Sequence, residues 1–404
     1  MILTCAGRSI QPIQPLKQCI PPSKRLLDEH LGSSQNAIQA QRRWIRRHAW
    51  ETEPAIPLLP FIGPTGDPRT NGIDVKPSAI LAVGKATDIA HMSGSRDVPI
   101  VAIPHGESGN ILRLMKPRLD NLGWEGHAGV RLRVLNANSS EDAYFVGDGG
   151  EIQQVAFASD SEGTKSWLAL RKAESTTILR PLFHRVPVPS EASKSPLNRF
   201  PPSRLNPNPI LTLPIEKTGS RPHADVSFNP WYVRQFAVVD QGGYWSIWDI
   251  EGQRRKRTTF EARPGKSGHI FNGSSLTDNT AISASEADGW ARVLWVGVSM
   301  IVVCDRRHIS VVNLTATPKY LRSPELITPG STDWILEVKR NPVKLDQIFV
   351  LTTSHIFWLQ ISPVLEGANG SDHAGARILL SHRHFRDGED ESVKIELLSQ
   401  EDCK

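Results

Sequence analysis

The chain is short of cysteine, of long apolar runs and of any acidic block. Its four cysteines, Cys5, Cys19, Cys304 and Cys403, lie far apart, and none forms a Cys-x-x-Cys pair. That spacing argues against a zinc site or a disulfide framework and fits a reducing compartment. The longest apolar stretch, VLWVGVSMIVVC at 293–304, is closed by Arg292 and Asp305. A bilayer span needs about 20 such residues. The N-terminal MILTCAGRSIQPIQ meets Arg8 before any apolar run of signal-peptide length. A soluble, intracellular protein is expected, and the Asn-x-Ser/Thr sequences at Asn138, Asn272, Asn313 and Asn369 then read as chance. With no acidic block to oppose it, the net charge is +5 and the pI about 9.0. That mild excess permits contact with nucleic acid or an acidic partner without demanding either.

Glycine and proline are abundant, at 30 each, and 39% hydrophobic residues with 11 Trp supply a large core. This is the punctuation of many short strands. Residues 1–32 show no periodicity and read as loosely ordered. Residues 34–49, SQNAIQAQRRWIRRHA, read as a helix that Ser34 caps, with Ala37, Ile38, Trp44 and Ile45 on one stripe. Residues 51–77 read as a connection, so 1–77 form an N-terminal segment. From residue 78 to about 400, runs of five to eight β-branched and aromatic residues recur between turns. VPIVAIP (98–104), QFAVVD (235–240), MIVVCD (300–305) and QIFVLTT (347–353) are examples. The pattern is all-β: sandwich, barrel or propeller.

Repeats decide among these. Val155-x-Phe157, Val226-x-Phe228-x-Pro230, Val293-x-Trp295 and Val338 before Asn341-Pro342 align. Each is followed by an apolar strand, a polar turn and a second apolar strand. Val293 to Val338 is 45 residues, one blade of a WD-type propeller. The longer intervals, 71 and 67, are attributed to polar inserts at 186–221 and 253–289. Four blades stand out; weaker ones at 78–115, 130–148 and 376–399 bring the expectation to six or seven. A sandwich would not repeat a three-strand unit in register. The expected fold is a divergent WD40-like β-propeller. Trp248-Asp249 is its signature dipeptide: the Trp is expected to pack between blades and the Asp to fix a strand end. Many WD repeats also carry a Gly-His whose His joins a buried network. His223, only three residues before Val226, is too close to take that place.

Sequences that hint at chemistry are weak. HGESGN (105–110) departs from Gly-x-Ser-x-Gly at Asn110, so Ser108 reads as a hairpin turn. PGKSG (264–268) lacks the first glycine of a phosphate loop, where Phe260 stands, and Lys266 reads as a loop lysine. His382 and His384 alternate, and no third metal ligand is placed nearby. No catalytic residue, metal or cofactor is implied. Two basic clusters remain, Arg42, Arg43, Arg46 and Arg47, and Arg254, Arg255, Lys256 and Arg257. They are candidate phosphate or partner contacts.

HADVSFNPWYVRQFAVVDQGGYWSIWDIEG (223–252) is more specific than a generic blade. With PSRLNPNPILTL (202–213), VPIVAIPHGESGNILRL (98–114) and ARILLSHRHFRD (376–387), it resembles the largest subunit of the fungal RNA polymerase I core factor. The resemblance covers roughly residues 40–400. It implies a divergent propeller followed by a helical region, and a non-enzymatic scaffold for preinitiation complex assembly at ribosomal RNA gene promoters. It implies as partners an initiation-factor-B-like subunit, a helical-repeat subunit and RNA polymerase I, in the nucleus and nucleolus. The sequence ends at SQEDCK, near the end of the propeller, so a fragment short of the helical region is expected. The alternatives are a WD-repeat adaptor of chromatin or ribosome assembly, and a propeller hydrolase using Ser108.

Overall fold

The computed structural model describes residues 80–90, 97–106, 108–123, 131–147, 150–158, 166–189, 200–252, 260–270, 288–315, 317–321, 323–328, 331–362, 375–386 and 393–397. The expected N-terminal segment and its helix at 34–49 lie outside them. Apart from one turn of 3-10 helix at Ile215–Lys217, the regular structure of the described residues is strand.

Sheet one runs through β1 (Ala82–Asp88), β2 (Asp97–His105), β3 (Ile111–Gly123) and β4 (Arg131–Val146), all antiparallel. Sheet two takes β5 (Gln154–Phe157), β6 (Leu168–Arg171) and β7 (Ser175–Leu179). A hairpin of β8 (Leu182–Val188) and β9 (Ser203–Asn206) then leaves sheet two, and β10 (Pro209–Pro214) returns to complete it. The hairpin joins sheet one: β8 runs parallel to β1 through Thr87–Leu182 and Asp88–Phe183. At its far side Ser203 Oγ donates to Glu141 (3.0 Å) and Phe200 stacks on Tyr144 (4.4 Å).

Sheets three to five are simple four-strand meanders. Sheet three holds β11 (His223–Phe228), β12 (Gln235–Asp240), β13 (Tyr244–Glu251) and β14 (Glu261–His269). Sheet four holds β15 (Arg292–Gly297), β16 (Met300–Cys304), β17 (Ile309–Asn313) and β18 (Lys319–Leu321). Sheet five holds β19 (Ile335–Arg340), β20 (Gln347–Thr352), β21 (His355–Ile361) and β22 (Ala376–Arg383).

The repeat alignment is a structural register. Val155, Val226, Val293 and Val338 each sit in the first strand of their sheet, opposite Leu170, Val238, Val303 and Val350 of the second. The first strands β1, β5, β11, β15 and β19 are successive neighbours. Alternate side chains leave opposite faces of a strand, so each middle sheet packs against both neighbours. Val238 and Phe236 face sheet two with Trp248, while Ala237 and Val239 face sheet four with Trp245. Similar cores lie between sheets one and two and between sheets four and five. Sheets stacked face to face with neighbouring first strands are the propeller arrangement.

Four readings change. The weak blades at 78–115 and 130–148 are one sheet: RLRVLN and AYFVG are the two ends of β4, joined through the polar run 136–142. The weak blade at 376–399 divides, its first part being β22 of sheet five. The described residues hold five sheets. The stretches 186–221 and 253–289 are not merely inserts, since they contribute β9, β10 and β14. Lys266 is a strand residue whose ammonium donates to the carbonyls of Leu314 and Thr315. Glycine hid that strand from view, and Gly268 shows why it is there. A Cβ on it would lie 2.6 Å from the Trp245 ring and from the Tyr320 hydroxyl.

Candidate functional site

The residue before each aligned valine is polar: Gln154, Asp225, Arg292 and Glu337. The first three are buried, so each needs a partner. They find it across the sheet boundaries. Gln154 Nε2 donates to Asp225 (2.6 Å) and to the Val226 carbonyl (3.3 Å), and its Oε1 accepts from Val226 N (3.2 Å). The other Asp225 oxygen accepts from Val293 N at 2.9 Å, and the Trp295 indole donates to the Ser227 carbonyl at 3.2 Å. Arg340 donates to the Trp295 carbonyl (3.1 Å), and Lys172 donates to the Asn110 carbonyl (3.1 Å). Every boundary between successive sheets is thus crossed by a polar contact.

Arg171, on β6, is the centre of this network and fully buried. It donates to Gln153 Oε1 (2.7 Å), to the His223 carbonyl (2.6 Å) and to Gln154 Oε1 (3.1 Å). Burial first, and the nearby Arg292 second, pull its pKa down to about 9, with Asp225 opposing. At neutral pH it keeps its charge. Such a group organises its surroundings at a high desolvation cost. No strand pattern flagged it in the sequence. The available signal was parity: the paired positions Gln154 and Arg171 interrupt two otherwise apolar strands.

His223 corrects the sequence reading. It lies inside a buried network, with Nδ1 against Thr176 Oγ1 (2.8 Å) and Nε2 against Thr218 Oγ1 (2.7 Å). Two local departures allow this despite the short spacing to Val226. The register of β11 shifts between His223 and Asp225. The chain before it also folds back, with Ser220 N donating to the Ile215 carbonyl at 2.7 Å. Burial, then the Arg171 charge, lowers the imidazole pKa to about 3, so the ring is neutral.

A second constellation lies at the other end of the strands. Asn229 Oδ1 accepts from Trp231 N (3.0 Å), and its Nδ2 donates to Gln235 Oε1 (2.7 Å). Gln235 Nε2 in turn donates to Asp249 Oδ1 at 2.9 Å. Sheet five repeats the device: Asn341 donates to Gln347 (3.1 Å) and Gln347 to Gln360 (2.8 Å). Val226, Phe228 and Trp248 lie in the core between sheets two and three, and Pro230 is buried in this loop.

The remaining candidates scatter. Ser108 is exposed in the β2–β3 turn, beside Gly106 and Gly109 at positive φ. His384 turns Nε2 to the Thr352 carbonyl (3.0 Å), while His382 is exposed. Arg42, Arg43, Arg46, Arg47, Arg254, Arg255, Lys256 and Arg257 lie outside the described residues. The titratable groups gathered here are buried and turned toward one another. Their arrangement joins sheets.

Residues 74–404 match the family described as Rrn6, beta-propeller. The chain belongs to this family. Rrn6 is the RNA polymerase I core factor subunit, the family that residues 223–252 resemble. Neither the Rrn6 family nor its propeller fold is an enzyme class. Among solved structures, the Rrn6-family chain is similar to one titled as S. cerevisiae core factor. The match has 15% identity and a TM-score of 0.50, over 78% of this chain and 43% of that one. The chain therefore spans less than half of the core-factor chain it matches. The β-propeller domain of Myceliophteria thermophila Cps50 (Swd1) is matched at 11% identity and a TM-score of 0.39, over 78% of this chain and 75% of that one. Sqt1 from Chaetomium thermophilum is matched at 10% identity and a TM-score of 0.38, over 72% of each chain. None of the curated proteins matches.

Proposed function

We propose that the protein is a non-enzymatic scaffold subunit of the RNA polymerase I core initiation factor. In this role it supports preinitiation complex assembly at ribosomal RNA gene promoters, in the nucleus and nucleolus. The observation that carries the reading is the family match over residues 74–404. Packed sheets joined by loops suit such work, because loops on a rigid frame supply binding surface. The partners are the initiation-factor-B-like subunit, the helical-repeat subunit and RNA polymerase I. Residues 1–77 form a separate N-terminal segment ahead of a propeller over 78–400. Val226, Phe228, Pro230, Trp248 and Asp249 hold the third blade together. The two basic clusters touch phosphate or an acidic partner.

Affinity purification of the tagged chain at modest salt tests the reading. The expected result is recovery of both core-factor subunits and the polymerase. Recovery of chromatin or ribosome-assembly proteins in their place would overturn it. Replacing Arg254, Arg255, Lys256 and Arg257 by Ala tests the phosphate contact separately. The salt dependence of promoter binding flattens if the cluster neutralises phosphates, and an unchanged slope excludes it.

A further inference from the structure

The outer strand of a blade presents unpaired backbone groups along one edge, and proteins commonly blunt such edges with proline, charge or brevity. Three of the outer strands follow that rule. β10 begins and ends in proline. β14 carries Pro264, Gly265, Lys266 and Gly268. β18 is three residues long. β22 has neither the proline nor the brevity, and its charge sits at Arg377 and Arg383. It is eight residues without Pro, Gly or Lys, and all but Ala376 are exposed. Ile378, Leu379 and Leu380 are 38%, 42% and 55% exposed, consecutive in sequence. Among the described residues no strand pairs with its outer side.

The backbone there is ready to pair. A bulge at Leu379 interrupts the ladder with β21 and leaves Leu380–Arg383 as a regular stretch. His384 N donates inward to the Ser354 carbonyl at 3.2 Å. By alternation, residues 382 and 380 also turn their backbone groups inward, and Ser381 and Arg383 turn theirs outward. The charge is of one sign. Residues 375–386 hold Arg377, Arg383 and Arg386 with His382 and His384, and no carboxylate. A second copy laid antiparallel along this edge would bring two arginine- and histidine-bearing strands side by side, with no carboxylate to offset the like charges.

We propose that β22 is a docking edge that accepts an extended segment of a partner protein as an added strand. The segment is apolar at alternate positions, on the face of Leu380, and acidic on the face of Arg383. This is recognition by strand addition, in which backbone bonds give affinity and side chains give choice. The inference stands on the edge itself and does not depend on the core-factor reading.

The test uses the full chain and fluorescein-labelled octapeptides of alternating Glu and Val, or of alternating Lys and Val. Fluorescence anisotropy reads binding, and hydrogen exchange locates it. The Glu/Val peptide is expected to bind about tenfold or more tightly than the Lys/Val peptide. Binding should protect amides within residues 380–384. Ser381→Pro removes an outward N–H while sparing the inner ladder, and should weaken binding about tenfold. Ser381→Ala keeps the N–H and should bind like the parent. Arg383→Glu, which leaves the backbone untouched, should reverse the preference between the peptides. Equal binding by Ser381→Pro and the parent would overturn the proposal, as would protection elsewhere in the chain. So would an Arg383-dependent grip on oligo-dT without peptide binding, which would make the edge a phosphate surface. Dimerisation abolished by Leu380→Glu would overturn it in favour of self-association.

Discussion

In sheet three, the face turned to sheet four is closed: Ala237, Val239, Trp245 and Ile247 are all buried. Their counterparts in sheet five are Phe349, Leu351, Ile356 and Trp358, matched through the pairs Ala237–Ile247 and Phe349–Trp358. Of these only Leu351 is buried. Phe349 and Trp358 stack on each other, 5.5 Å between centroids, and both are only partly buried. Yet the Asn–Gln loop beneath is the same in both sheets. Local chemistry is therefore set by each sheet's own sequence, whereas burial is set by the neighbour. A blade is complete as a fold before it is complete as an interior.

Tryptophan truncation gives the largest expected contrast. Trp245→Ala should lower stability by about 3–5 kcal/mol, as for other buried aromatics. Trp358→Ala loses less, roughly 1–2 kcal/mol, because its side chain is only partly buried. Urea midpoints of the two variants measure this, and equal losses would dissolve the comparison.

Acid is the next lever. His223 in the sheet-three network is held at about 3, below its ordinary 6.5, so the unfolded chain takes the proton first. Its stabilising contribution is complete above pH 6.5 and declines as the pH falls toward 3, by at most about 1.4 kcal/mol per pH unit. Burial raises the Asp240 carboxyl, which acts with the opposite sign: its contribution is present in acid and lost as pH rises through the raised value. His223→Gln should therefore flatten the acid limb of a stability–pH curve and leave the Asp240 trend exposed. Sheet five, whose Asn341 loop involves no histidine, should show no such change when Asn341 is replaced.

The smallest effect concerns the shared loop. Asn229→Ala and Asn341→Ala should each cost about 1 kcal/mol, the scale of a lost side-chain cap on a turn. Because both side chains do the same job, the thermal shifts should agree closely. A large difference would mean that the resemblance of the loops is only geometric.

What the sequence revealed follows the same division. Period and register were legible, because Val155, Val226, Val293 and Val338 are fixed by strand alternation. Asn229 and Asn341 were visible for the same reason: Asn-Pro opens a turn wherever it stands. The parts that stayed hidden depend on distant partners. β14 carries Gly268 because the Trp245 ring and the Tyr320 hydroxyl fill the space a side chain there would need. β4 continues on both sides of a polar run because β3 pairs with residues 131–136 and again with 141–146, while 137–140 fall out of the register. Arg171 looks like an error in a core strand until Gln153, Gln154 and the His223 carbonyl surround it.

The β8–β9 hairpin has a further consequence, for the order of assembly on the ribosome. Sheet one obtains its last two strands from chain made long after its first. At about 5–20 residues per second, the roughly 100 residues between β1 and β8 take several seconds to emerge. Until then β1 has a vacant side, and sheet two has not yet received β10. The first two sheets therefore mature together, as one late-closing unit, while sheets three to five can each form as soon as their own strands have left the exit tunnel.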